Sequence, residues 1–74
     1  MGRTLTMEDL PQELASRRTG GIEVVLLWSG RTRRALVTVH DESTGERLAV
    51  PVREADCALD VFHHPYAYAA RRAA

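Results

Sequence analysis

The chain has 74 residues, and its ten basic residues balance ten acidic ones. A net charge of zero excludes the global positive field that drives nonspecific binding to nucleic acids or membranes. A chain this short builds one core and leaves no room for a large strained catalytic site, so we expect a binding surface rather than an enzyme.

The cysteine count and the N-terminal sequence predict a cytoplasmic protein. Cys57 is the single cysteine, so no internal disulfide can form, and residues 1–6 lack the apolar stretch of a signal peptide. The longest apolar run, residues 24–28, is far shorter than the roughly 18 residues that indicate a membrane span. All ten basic residues are arginine, which together with abundant alanine suggests a GC-rich bacterial genome.

The first predicted element is a short helix over about residues 10–18, after a loose polar lead-in of residues 1–9. Pro11 is acceptable in the first turn of a helix. Gly20 and Gly21 follow, and glycine readily adopts the left-handed conformation in which helices commonly end. We therefore expect a helix that stops at this glycine pair.

Three predicted strands follow the glycine pair. Residues 22–29 are rich in β-branched and aromatic side chains and are flanked by glycines on both sides. Residues 35–41 alternate less strongly but hold Val37, Thr38 and Val39, and residues 47–53 place Leu48, Val50 and Val52 at a period of two. Pro51 lacks a backbone donor, so the third strand is expected at a sheet edge.

The lengths of the two turns predict which side chains share a face of the sheet. A loop of two or four residues at residues 30–33 and a two-residue turn at Thr44 and Gly45 place the same side chains on one face of the sheet. The second turn sets Val39 opposite Val50. One face is then wholly apolar, and the other mixes apolar and charged side chains. The apolar face holds Ile22, Val24, Leu26, Trp28, Ala35, Val37, Val39, Leu48, Val50 and Val52.

A C-terminal helix over residues 54–64 is expected to cover the apolar face. Its apolar positions recur at the spacing of one helical stripe. They are Ala55, Ala58, Leu59 and Phe62. Pro65 either ends this helix or begins a second helical piece.

The predicted fold is therefore α+β, with a three-stranded antiparallel meander, a C-terminal amphipathic helix on one face and a short N-terminal helix. We expect a single domain over residues 1–74, with an ordered core at about residues 10–68 and frayed ends.

Cys57, Asp60, His63 and His64 crowd the predicted C-terminal helix and raise the question of a metal site or a cysteine nucleophile. Seven residues separate Cys57 from His64, which is about 10.5 Å along a helix and too far for a nucleophile and its base. Asp60 and His64 could share a metal with His40, but no fourth ligand is evident. Histidines beside the last carbonyls of a helix and a small buried cysteine explain these residues without chemistry. We expect no catalytic, metal or cofactor site.

Arg31, Arg33 and Arg34 cluster in the first predicted hairpin, close after Trp28. Arginines contact phosphates while an aromatic ring stacks on a base, so a nucleic-acid-binding accessory protein is the alternative function. Arginines at a hairpin tip more often lie in a solvated turn, where they discourage pairing at the sheet edge, and Trp28 falls on the predicted core face.

The mixed sheet face is the leading candidate site, because an apolar centre with a charged rim is the anatomy of a protein interface. The candidate interface residues are Val25, Leu27, Arg34, Leu36, His40 and Arg47. Alternatively, residues 5–18 fold back and cover this face, and the sequence favours neither reading. The covering side chains would be Leu5, Met7, Leu10 and Leu14.

Self-association is the most specific form of the interface hypothesis, because residues 22–29 would form a long apolar edge that can pair with its own copy. The sequence therefore predicts a non-enzymatic protein-binding or regulatory module whose partner is another protein or a second copy of the chain.

One C-terminal segment has a recognisable sequence. Residues 58–69 read ALDVFHHPYAYA, and shorter pieces at residues 28–29, 37–41 and 44–46 accompany it. Over about residues 22–70 the chain thereby resembles a group of small uncharacterised actinobacterial proteins. That group has no established function, so the resemblance implies a bacterial, stand-alone, cytoplasmic protein and no site residues.

Overall fold

The computed structural model describes residues 11–73, which form one antiparallel sheet followed by two helices. The elements are β1 Gln12–Thr19, β2 Ile22–Ser29, β3 Arg34–Asp41, β4 Glu46–Pro51, α1 Ala58–His63 and α2 Pro65–Ala73. The strands lie in chain order across the sheet, so β1 and β4 form its edges. The predicted α+β class is confirmed, and so is the edge position of the strand that holds Pro51, but the sheet has one strand more than predicted.

The predicted N-terminal helix is wrong, because residues 12–19 form β1 and pair antiparallel with β2. Gln, Glu, Leu, Ala and Arg are good helix formers, so local propensity favours a helix here. An isolated helix this short is marginal in water, however, and its stability would have to come from packing. Pairing with β2 instead sets Ala15 opposite Leu26 and Arg17 opposite Val24, and the strand prevails.

Gly20 and Gly21 form the turn between β1 and β2. Their φ angles are 60° and 80°, and Thr19 pairs with Ile22 across this two-residue loop. Positive φ at both central positions is the geometry of a mirror-image type I′ turn, whose twist matches the twist of the adjoining strands. The glycine pair therefore joins two strands and does not end a helix.

The connection between β2 and β3 agrees with the sequence prediction. Ser29 pairs with Arg34 across a four-residue loop, and Val24 lies opposite Val39. Even-numbered positions of β2 therefore share a face with odd-numbered positions of β3, as predicted.

The connection between β3 and β4 is longer than predicted. Asp41 pairs with Glu46 across a four-residue loop, so the predicted two-residue turn is wrong. Val39 lies opposite Leu48 rather than Val50. A shift of two residues keeps each side chain on the same side of the sheet, so the predicted faces are nonetheless confirmed.

The side chain of Asp41 explains the longer loop. Its Oδ1 accepts hydrogen bonds from the backbone N–H and the hydroxyl of Ser43, at 3.0 and 2.6 Å. An Asp that binds the backbone two residues ahead starts a turn at its own position. The hydroxyl of Ser43 also holds the pKa of Asp41 below its ordinary value.

The core lies between the sheet and the two helices. Its buried side chains are Val24, Leu26, Val37, Val39, Val50, Val61, Phe62 and Tyr68. Partly buried side chains at its margin include Ile22, Ala35, Leu48 and Val52. The strand residues in both sets belong to the predicted apolar face, and their removal from water is the main stabilising contribution.

The first helix begins later than predicted. The carboxylate of Asp56 accepts a hydrogen bond from the backbone N–H of Arg53, at 2.9 Å, and this turn delays the helix until Ala58. Val61 is buried, whereas Leu59 is 58% exposed. The predicted stripe through Leu59 is therefore wrong, because α1 packs against the core through Ala58, Val61 and Phe62 and leaves Leu59 on the outer side.

Pro65 begins α2, so the second of the two sequence alternatives is the one observed. Its ring suits a first helical turn, where the missing N–H has no intrahelical partner. Buried positions then recur at Val61, Pro65 and Tyr68, one stripe across both helices. Neither helix in the described part of the chain is long and apolar enough to cross a membrane.

Candidate interaction surfaces

The sheet face opposite the helices is the first candidate site, and we call it the open face. Both helices pack against the other side of the sheet. The strand registers place Ser16, Val25, Thr38 and Ala49 in one row across the open face and Glu13, Leu27, Leu36 and Pro51 in the next. Val25, Leu27 and Leu36 are half-buried in the two inner strands, and they form an apolar centre.

Charged side chains border the open face. At one end the registers align Arg18, Glu23, His40 and Arg47 across the four strands, and at the other end Arg34 lies opposite Ser29. Arg18 also forms an exposed ion pair with Glu42. The structure thus brings the six predicted interface residues onto one face, and their role in binding stays a prediction.

The alternative in which residues 5–18 cover the open face fails for the part of that segment that the structure describes. Residues 12–18 extend the sheet sideways as β1 and do not lie over it. Leu14 sits at an irregularity between Glu13 and Ala15 and is 57% exposed. Leu5, Met7 and Leu10 lie outside the described residues.

The predicted apolar sheet edge is also corrected. Residues 22–29 pair with β1 on one side and β3 on the other, so β2 is an inner strand and has no free edge. The edges are β1, which carries charged residues and the irregularity, and β4, which carries Pro51. All of these features discourage pairing with another strand. Self-association through an edge therefore loses its basis, and the open face is the surface left for it.

The second candidate site is a cleft on the helix-covered side, at the end of the sheet where β2 passes into β3. It has a volume of about 480 Å³, and we call it the Trp28 cleft. Trp28, Leu14, Val52 and Ala58 supply apolar walls. Three arginines and one acid also line it, namely Arg33, Arg34, Arg53 and Glu54.

The structure divides the predicted nucleic-acid contacts. Arg31, Arg33 and Arg34 are exposed, but only Arg33 and Arg34 line the Trp28 cleft. Trp28 itself is half-buried and lines the cleft rather than the centre of the core. Arg71 lies over the Tyr68 ring at 4.7 Å on α2 and does not line the cleft.

Arg33 has an unusual backbone conformation. Its φ is 55°, in the left-handed region, and no other non-glycine residue in the described chain has a positive φ. A residue with a Cβ adopts this conformation at a cost of about 1 kcal/mol or more. The β2–β3 loop therefore holds Arg33 at the cleft against a local preference.

The residues that crowd α1 have structural contacts. Asp60 accepts a hydrogen bond from the hydroxyl of Tyr68, and this bond raises the pKa of Tyr68. His63 contacts the Phe62 ring edge-on, with ring centres 5.3 Å apart. Cys57 is exposed, which corrects the expected buried position. Within residues 11–73, no three His, Cys, Asp or Glu side chains are grouped so that they could hold a metal ion.

Sequence reasoning missed both the Trp28 cleft and a contact made by Arg17. The cleft needs Leu14 from β1 and Val52 after β4, and the sequence predicts a helix for the segment that holds Leu14. Arg17 donates hydrogen bonds to the carbonyl oxygens of Phe62 and His63. These residues are 45 and 46 positions away, so no local pattern could indicate the contact.

Comparisons of the chain with protein-family models, curated proteins and solved structures find no match. The resemblance of residues 22–70 to small actinobacterial proteins stays a prediction.

Proposed function

We propose that this chain is a non-enzymatic protein-binding module whose open face pairs with a second copy of itself. The apolar centre of the open face carries the proposal. Val25, Leu27 and Leu36 lie side by side on the two inner strands, half-buried on the face away from both helices. A contiguous apolar patch with a polar rim is the usual mark of an interaction surface.

Charge supports a second copy as the partner. Arg18 is already paired with Glu42. The other charged residues on the open face are two acids and two arginines, namely Glu13, Glu23, Arg34 and Arg47. A patch of one sign would repel its own copy, whereas a balanced patch can complement itself in a two-fold pair.

The size of the face indicates a weak complex. Three strands of eight residues and one of six give a face of at most about 26 by 19 Å, or roughly 500 Å² per copy. Two such faces would bury about 1,000 Å² in total, at the low end for specific complexes. We therefore expect a dimer in exchange with monomer, as suits a regulatory contact.

Sedimentation velocity across a wide concentration range tests the proposal. The wild-type chain should shift from monomer to dimer as its concentration rises. Leu27→Glu and Leu36→Glu, which place a charge at the centre of the interface, should stay monomeric. Leu59→Glu is the matched control, because Leu59 is an exposed leucine on α1, away from the open face.

The proposal fails if the wild-type chain is monomeric at every concentration, or if Leu59→Glu abolishes the dimer as well as Leu27→Glu does. Methyl resonances of Leu27 and Leu36 are better probes of the contact than backbone amide exchange. The amides of β2 lie between two hydrogen-bonded neighbours and are protected even in a monomer.

A further inference from the structure

The Trp28 cleft combines two properties that the open face lacks. It has an aromatic wall, and its ionisable lining is mostly basic. Its volume of about 480 Å³ is large enough for a small molecule, as are the volumes of three other clefts, so the lining is what distinguishes it.

The aromatic wall selects for a flat ligand. Trp28 is half-buried, and Val52 and Ala58 pack at the margin of the core beside the same cleft. An indole ring in the wall of a cleft offers a surface for stacking, and every nucleobase offers a π-face to such a surface.

The basic lining selects for an anion. Arg33, Arg34 and Arg53 face a single acid, Glu54, so the lining carries an excess of positive charge. Arg33 and Arg53 form no ion pair with any other residue in the described chain, and their charge is free for a ligand. The guanidinium fork matches phosphate and carboxylate oxygens in a bidentate manner.

The backbone of Arg33 supplies a third observation. Glycine would fit its φ of 55° without cost, yet arginine stands there, at the rim of the cleft. The loop geometry sets this conformation, because Gly45 at the last position of the other four-residue loop also has a positive φ, of 77°. The observation is therefore the arginine side chain at a position that suits glycine.

We infer that the Trp28 cleft binds an aromatic phosphate of the nucleotide class, with the ring against Trp28 and the phosphate on Arg33 and Arg53. The ligand is either a free nucleotide or one nucleotide of a single strand, since both present the same ring and phosphate. The site lies on the helix-covered side of the sheet and does not depend on self-pairing through the open face.

The single tryptophan of the chain makes a direct test. Titration of the full chain with adenosine monophosphate should shift the indole N–H resonance of Trp28 and saturate. Adenosine, which lacks the phosphate, and inorganic phosphate, which lacks the ring, should each bind at least about tenfold more weakly. No shift at millimolar nucleotide overturns the inference, and so does equal binding of either partial ligand.

Variants connect the shift to the arginines. Arg33→Gln and Arg53→Gln should each weaken binding about tenfold, the effect of one charge-assisted hydrogen bond. Arg71→Gln removes an exposed arginine on α2, outside the cleft, and should leave the affinity unchanged. Equal losses in all three variants would show a diffuse charge effect and would overturn the site.

Arg33→Gly separates a binding role from a structural role. Because glycine relieves the positive φ, the melting temperature should stay the same or rise while nucleotide affinity falls about tenfold. A fall in melting temperature with unchanged affinity would show that Arg33 serves the fold alone and would overturn its assignment.

A short single-stranded oligonucleotide identifies the source, because a strand should bind more tightly than the monophosphate with a steep salt dependence if it is the ligand.

Discussion

Arg17 joins the first strand to the end of the first helix. Its guanidinium donates to the carbonyl oxygens of Phe62 and His63, at 3.0 and 3.3 Å, and lies 5.4 Å from the centre of the Phe62 ring. These carbonyls end α1 and lack intrahelical partners. One side chain therefore satisfies a helix terminus and fastens an edge strand to the helical layer.

Replacement of Arg17 by methionine should destabilise the fold. Methionine keeps an apolar stem against Phe62 and loses the donors, so the free energy of unfolding should fall by about 1.5–3 kcal/mol, the range for hydrogen bonds of a charged group. Arg18→Met is the neighbouring control, because Arg18 is 59% exposed and its ion pair with Glu42 contributes only about 0–1 kcal/mol. Urea unfolding measures both, and equal losses would contradict the anchoring role of Arg17.

Tyr68 makes the stability of the fold depend on pH in the alkaline range. Its hydroxyl donates to Asp60, and this hydrogen bond raises the pKa of Tyr68 in the folded chain above its ordinary value of 10.0. The folded state therefore holds this proton more tightly than the unfolded state. The resulting stability is fully present below about pH 10 and is lost as the pH rises toward the higher folded pKa.

Replacement of Tyr68 by phenylalanine should flatten this dependence. Tyr68→Phe should be less stable than the wild-type chain at pH 8, and the difference should shrink as the pH rises above 10. Thermal unfolding at several pH values measures it. Tyr66→Phe is the control, since Tyr66 is 54% exposed, and a similar pH response in that variant would contradict the role of Tyr68.

At the scale of elements, the glycine pair decides what the preceding segment becomes. Gly20 and Gly21 both have positive φ, and added Cβ atoms would meet nothing within 4 Å, so the cost of substitution is conformational rather than steric. Gly20→Asn should leave stability nearly unchanged, because Asn tolerates the left-handed region. Gly20→Val should lose about 1–2 kcal/mol. If the glycine pair ended a helix instead of forming a hairpin, Asn at residue 20 would also be more stable than Val. Stability alone therefore does not distinguish the two structures, and the experiment must also measure a property of β1.

Amide exchange of β1 supplies that property. In Gly20→Val the amides of residues 12–19 that bond to β2 should lose protection more than those between β3 and β4. Uniform loss of protection across the sheet would contradict a local hairpin effect.

Sequence patterns predicted β2 from its β-branched and aromatic residues between glycines, and β3 and β4 from side chains spaced at a period of two. Turn lengths of matching parity then predicted the apolar face. The sequence patterns failed for β1, because its helix-forming residues are held extended by pairing with β2 and by a type I′ turn. The glycine pair between two segments was the available signal, since two glycines also form a two-residue hairpin. The residues of the open face were predicted only from whether their positions along each strand are odd or even. A two-residue error in the β4 register does not change odd to even, so this prediction held.

At the scale of the whole molecule, the fold has two layers and one uncovered sheet face among the described residues. The helices bury one face of a sheet in a chain of 74 residues, whose stability is expected to be only about 4–11 kcal/mol. Because this free energy of unfolding is small, any partner that covers the second face should raise it by a measurable fraction. The Trp28 cleft lies on the opposite side, so ligand binding and self-pairing should be nearly independent, apart from Arg34 at the margin of both sites.

Self-pairing should therefore appear in the melting temperature. A partner that binds only the folded chain, present at ten times its dissociation constant, stabilises it by about 1.4 kcal/mol. In a domain of this size that corresponds to an increase of roughly 5–10 °C. The melting temperature of the wild-type chain should thus rise with protein concentration, and calorimetry over two decades of concentration measures the slope.

Leu36→Glu should melt at one temperature throughout, because a carboxylate at the centre of the open face prevents pairing, whereas Leu59→Glu should keep the wild-type slope. A wild-type slope of zero would mean that the open face meets no second copy, and a slope shared by Leu36→Glu would mean that the copies meet through another surface.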